Sequence, residues 1–123
     1  IAHKNWKAIR NASNCTLVAV ASRDPQRAEQ FVSECQAEVP FERPPRAMDT
    51  YEQLLASDEI DAVYVPLPTG ARRQWCLRAA EAGKHVVVEK PMATTLAAGW
   101  PLRISLARFG PVSAAGGCPW FLA

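Results

Sequence analysis

The chain has 123 residues, enough for one domain with its own core and no more. Its 49% hydrophobic and 21% charged residues suit a soluble globular protein, and a net charge of +2 without a Lys/Arg run gives no footing for nucleic acid. No apolar run reaches the ~20 residues a membrane span requires, and the four scattered cysteines (Cys15, Cys35, Cys76, Cys118) form no C-x-x-C pair and no zinc set. The thiols are therefore expected to be free and buried, in a cytosolic protein without a signal peptide or metal.

In chain order, Ile1–Asn11 reads as the body of a helix, with Ile1, Ala2, Trp6 and Ile9 near one face and no cap before them. The sequence is thus expected to begin inside an element. Thr16–Ala21 is a continuous apolar strand that ends at Ser22-Arg23-Asp24-Pro25. Asp24 suits the N-cap and Pro25 the first position of a helix that carries Ala28, Phe31, Val32 and Cys35 at core spacing. Glu38–Met48 holds Pro40, Pro44 and Pro45 and reads as loop, with a short edge strand at Val39 and Phe41. Thr50-x-x-Gln53 is a capping box for a short helix that buries Tyr51, Leu54 and Leu55.

Asp61–Val65 is the next buried strand, closed by the turn Pro66-Leu67-Pro68-Thr69. The helix Gly70–Ala82 follows, with Ala71, Trp75, Ala79 and Ala82 on its core face and Gly83 at the cap. Arg72-Arg73 is expected on its solvated side. His85–Val88 forms a strand ending in Glu89-Lys90-Pro91. Strands without polar alternation, separated by helices, imply a doubly wound α/β fold with a parallel sheet. In such sheets ligands bind beyond the carboxyl ends of the strands, which makes Pro66–Thr69 and Glu89–Pro91 site candidates.

Composition shifts after Glu89. No acidic residue follows it, and four of the six glycines lie from Gly99 onward. We expect a domain over residues 1–98 and an irregular, poorly ordered tail over 99–123. The shift fits an altered reading frame, and a flexible interaction tail is the alternative.

Several segments, in order and at matching spacing, resemble the Gfo/Idh/MocA oxidoreductases. They are Leu17–Asp24, Tyr51–Leu55, Ile60–Gly70, Ala79–Val86 and Glu89–Pro91. The branch of trans-dihydrodiol dehydrogenase and NADP-dependent D-xylose dehydrogenase is the most similar. The resemblance spans about Ile1–Ala98 and implies a partial Rossmann domain whose first strand and G-x-G-x-x-G loop would stand before Ile1. On that reading the sheet lacks its first strand, and the strands at Thr16–Ala21 and Asp61–Val65 lack the partner between them. It also implies a sugar or cyclic-diol substrate and a family that is often homo-oligomeric.

The same resemblance places Ser22 and Arg23 at the adenosine ribose. A carboxylate there would select NAD, whereas an Arg offers charge-assisted donors to a 2′-phosphate, so NADP is expected over NAD. Pro66, Leu67, Pro68 and Thr69 would line the nicotinamide side. Arg72 stands where many relatives carry His. Glu89, Lys90 and Pro91 would complete the cofactor site, Glu89 fixing cofactor or backbone and Lys90 moving the proton of the substrate hydroxyl. The 123 residues alone are expected to be inactive. A non-catalytic nucleotide-binding module or partner subunit is the alternative.

Overall fold

The computed structural model describes residues 2–88 and 118–122. In chain order the elements are α1 (Ala2–Asn11), β1 (Cys15–Ala21), α2 (Pro25–Glu38), β2 (Arg46–Met48), α3 (Tyr51–Ala56), β3 (Ala62–Val65), α4 (Thr69–Glu81), β4 (His85–Val88) and β5 (Cys118–Leu122). Local chemistry sets most boundaries. The Asp24 carboxylate accepts the Gln26 N–H at 3.1 Å, with Pro25 opening α2. Thr50 Oγ1 accepts the Gln53 N–H at 3.1 Å to start α3. Gly83 ends α4 with φ +74°, a left-handed conformation that a side chain would oppose.

The five described strands are parallel where they pair, in the order β2-β1-β5-β3-β4. The units β1–α2–β2 and β3–α4–β4 wind outward in opposite directions from β5. The last of the described strands thus lies in the middle of the sheet. It pairs with β1 from Cys15↔Cys118 to Val20↔Leu122, and with β3 at Tyr64↔Leu122. This corrects the expectation that β1 and β3 have no partner between them. It also removes Cys118–Leu122 from the segment expected to be irregular. The other tail positions, including Gly99 and Pro101, lie outside the described residues.

The sheet is packed on both faces. One face carries Ala19, Ala21, Val63 and Val65 against Tyr51, Leu54, Cys76 and Ala79 of α3 and α4. The other carries Leu17, Val20 and Tyr64 against Trp6, Ile9, Ala28 and Cys35 of α1 and α2. Strict alternation would put Leu17 and Ala19 on the same face. A register shift between them in the β1–β5 ladder leaves Val18 extra on β1, and the pattern slips by one residue there. Every residue of β3 is buried, as expected for a strand covered on both faces. The four residues of β4, at the sheet's edge, are half-buried.

Two readings of the sequence need correction here. The edge strand is Arg46–Met48, not Val39 and Phe41. Gln36 explains the difference: its side-chain amide accepts the Phe41 N–H at 3.0 Å and donates to the Phe41 carbonyl at 2.7 Å. Both backbone groups that a ladder needs are thereby taken. The Val39 carbonyl is likewise occupied, by the Trp6 indole N–H at 2.8 Å. On α4, the inward residues are Arg72, Cys76, Ala79 and Ala80, a face turned by about one position from the expected Ala71, Trp75, Ala79 and Ala82.

Candidate functional site

At the carboxyl edge of the sheet a cleft of about 640 Å³ opens over the ends of β1 and β3. This is the crevice created where the two halves wind apart, the usual ligand position in an open α/β sheet. Ala21 ends β1, and the turn Ser22-Arg23-Asp24 forms one wall of the cleft. Arg27, in the first turn of α2, adds a second guanidinium to that wall. Leu67 and Pro68 form the opposite wall, and Tyr51 stands at its base.

Four of the residues expected at the site therefore meet: Ser22, Arg23, Leu67 and Pro68. Pro66 and Thr69 do not line the cleft. Thr69 is already the first residue of α4, whose N-cap position is Pro68. Glu89, Lys90 and Pro91 lie outside the described residues. Arg27 and Tyr51 were not expected as site residues. A signal for Arg27 was available, because it follows Arg23 by four positions and α2 begins between them.

The side chains of the cleft can receive an anion. Ser22, Arg23 and Arg27 bring a hydroxyl and two guanidinium groups, and both arginines are exposed. Asp24 also lines it, but its carboxylate is engaged by the helix it caps. Burial pushes the Tyr51 phenol above its ordinary pKa. The charges of Arg23 and Arg27, and the nearby Arg23 backbone, pull it the other way.

Arg72 plays a different part from the one its position suggested. It is 6% exposed, and Nε and Nη2 donate to the Leu67 carbonyl at 3.0 and 2.7 Å. Its guanidinium thus holds the turn that forms the second wall. Backbone bonds from Ala71 and Arg72 to the Pro68 carbonyl, at 3.0 and 3.1 Å, fix the other end of that turn. The expected solvated doublet is split, with only Arg73 exposed.

Residues 1–102 match the model of an oxidoreductase family with an NAD-binding Rossmann fold, Gfo/Idh/MocA. The chain belongs to this family. Over 88 residues it is 44% identical to a dTDP-3,4-didehydro-2,6-dideoxy-alpha-D-glucose 3-reductase of Saccharopolyspora spinosa, covering 72% of this chain and 24% of that protein. It is 42% identical over 84 residues to a D-xylose 1-dehydrogenase (NADP(+)) of Haloferax volcanii, covering 68% of this chain and 24% of that one. A 3-ketoreductase from Actinomadura kijaniata, crystallised with NADP and TDP-benzene, superposes with a TM-score of 0.71 at 32% identity, covering 85% of this chain and 30% of that one. The chain thus spans about a quarter of the length of these curated Gfo/Idh/MocA relatives. Among its described residues, no helix is long and apolar enough to cross a membrane.

Proposed function

We propose that this chain is the NADP-binding part of an oxidoreductase that transfers hydride between NADP and a carbon of a sugar or cyclic diol. The observation that carries the reading is the grouping of Ser22, Arg23 and Arg27 in one cleft at the end of β1. There a Rossmann-type sheet reads the adenosine ribose, and guanidinium groups accommodate a 2′-phosphate. The donor set fits that phosphate: two cations, one hydroxyl, and the nearest carboxylate engaged as a helix cap. NADP is also the cofactor in the name of the Haloferax relative and in the Actinomadura complex.

NADP, when bound, supplies or takes up the hydride, while the residues of this chain hold and orient. Ser22, Arg23 and Arg27 grip the adenosine end. Leu67 and Pro68 shape the wall leading toward β3, and Arg72 keeps that wall in place. We assign to Lys90 the proton of the substrate hydroxyl, and to Glu89 the fixing of cofactor or neighbouring backbone, on family resemblance. These 123 residues contain no G-x-G-x-x-G for the pyrophosphate. We therefore infer that the polypeptide alone binds NADP weakly, through its adenosine end, and does not turn over substrate.

The test compares NADP with NAD by saturation-transfer NMR on the wild type and Arg23→Glu. The wild type is expected to favour NADP by roughly 10- to 100-fold, the range of one or two charge-assisted hydrogen bonds. Arg23→Glu should abolish that preference. Equal binding of both cofactors by the wild type would refute the reading.

A further inference from the structure

The cysteines do not stand in equivalent places. Cys35 and Cys76 are buried, and burial pushes each thiol up to about 11, so at neutral pH neither supplies the thiolate that attacks a disulfide. Cys15 opens β1 and is only half-buried. Its Sγ lies 3.9 Å from the Ile9 carbonyl, on the face of the sheet that α1 covers. Cys118 opens β5.

The β1–β5 ladder sets these two opening residues side by side. Cys15 pairs with Cys118, Thr16 with Pro119 and Leu17 with Trp120, and the register shifts only after that third pair. In-register partners of a parallel ladder share a face of the sheet, on strands about 4.8 Å apart. A disulfide needs Cα atoms about 4.4–6.8 Å apart and side chains on the same side. The backbone meets both conditions at this pair. At the first residue of each strand the backbone is also the freest to make the small shift that a bridge demands. Among the described residues, β5 is what joins β1 to β3 and hence one half of the sheet to the other. A Cys15–Cys118 bond closes a loop of about a hundred residues, near the upper end of what a cross-link can contribute by restricting the unfolded chain. The cleft lies at the far end of β1, from Val20 onward and about 20 Å away, so the bridge leaves it open.

We propose that Cys15 and Cys118 are a redox pair that, on oxidation, forms a disulfide fastening β5 to β1 and so locks the two halves of the sheet together. The oxidant is a low-molecular-weight disulfide such as oxidised glutathione. The Cys15 thiolate attacks one of its sulfurs, breaking that S–S bond and releasing one glutathione thiolate. The Cys118 thiolate then attacks the Cys15 sulfur of the mixed disulfide, forming the Cys15–Cys118 bond and releasing the second glutathione. Two protein thiols give up two electrons, their two protons end on the two glutathione thiolates, and the reverse exchange reopens the bridge. The inference does not depend on the cofactor reading.

The experiment equilibrates the dilute wild-type chain in glutathione buffers of increasing oxidised fraction and traps the remaining thiols by alkylation. Mass spectrometry then maps the bonds after trypsin, which puts each cysteine on its own peptide. The expected product is an intramolecular disulfide between the Cys15 and Cys118 peptides, with Cys35 and Cys76 still thiols. The oxidised protein should melt at least about 5 °C above the reduced one, and reductant should erase the gain. Cys118→Ser should show neither the bridge nor the gain. Cys15 bonded to Cys35, a bond between two copies, glutathione left on Cys15 or Cys118, or no oxidation at all overturns the pairing. A Cys15–Cys118 bridge without a rise in melting temperature overturns the locking role. The map and the melts on the wild type need no variant, so they decide the matter even if Cys118→Ser fails to fold.

Discussion

Replacing Arg72 by Met isolates what its guanidinium does. Met fills much of the same buried space along the stem, so the packing of α4 on the sheet is largely retained. The two donations to the Leu67 carbonyl, at 3.0 and 2.7 Å, are lost. A hydrogen bond from a charged donor contributes about 1.5–3 kcal/mol, and the two here share one acceptor, so they do not add in full. Leu67 is only half-buried, and water can partly replace the lost partner. The expected net loss is about 2 kcal/mol, or about 6–10 °C in melting temperature for a domain of this size. Urea unfolding followed by tryptophan fluorescence measures it. Arg72→Lys should recover about half, because an ammonium keeps the charge but not the planar pair of donors. If Arg72→Met lies within about 0.5 kcal/mol of the wild type, the ordinary scatter of surface changes, the reasoning fails.

Cys35 and Cys76 offer a pH test. Burial pushes each thiol up to about 11; at Cys35 the charges of Glu38 and Glu34 add to the shift, whereas at Cys76 Arg72 opposes it. An unfolded cysteine ionises near 9.0 and the folded one resists, so between about 9 and 11 the unfolded state holds fewer protons. Stability should be flat below pH 9, fall as pH rises through that window and level off above it. Unfolding midpoints from pH 8 to 11 on Cys35→Ala/Cys76→Ala against the wild type would show this, and a wild type that gains stability over the window contradicts it. Separately, the purified chain should oxidise no NADPH with aldoses or diketones, and measurable turnover in a spectrophotometric assay would overturn the inactivity.

The parts of the fold governed by local chemistry were legible in the sequence. Asp24, Thr50 and Gly83 act at helix ends through groups one to three residues away, so their roles could be read without knowing the fold. What the sequence left hidden depended on distant partners. Arg72 is inside because the Leu67 carbonyl receives it, and a hydrophobic pattern alone favours the bulky Trp75. Phe41 looked like a strand residue until Gln36 occupied its backbone. Ser22 and Arg23 were recognisable from their place after a strand, whereas the membership of Arg27 and Tyr51 in the same cleft appears only when α2 and α3 are packed. For β5 the apolar run Trp120-Phe121-Leu122 was a signal. Pro119, which cannot donate to a ladder, argued against a central strand, and the described strand contains it nonetheless.

The central placement of β5 has a consequence for how the chain reaches this state. Each half of the sheet is assembled from neighbours in sequence, β1 with β2 and β3 with β4, and can form early. The halves are joined through β5, in contacts as distant along the chain as Cys15 with Cys118. Closing such a loop is slow, because its entropy is lost before the contacts repay it. Among the described residues β5 is what pairs the inner edges of both β1 and β3, and its docking converts the two α/β halves into one cooperative unit.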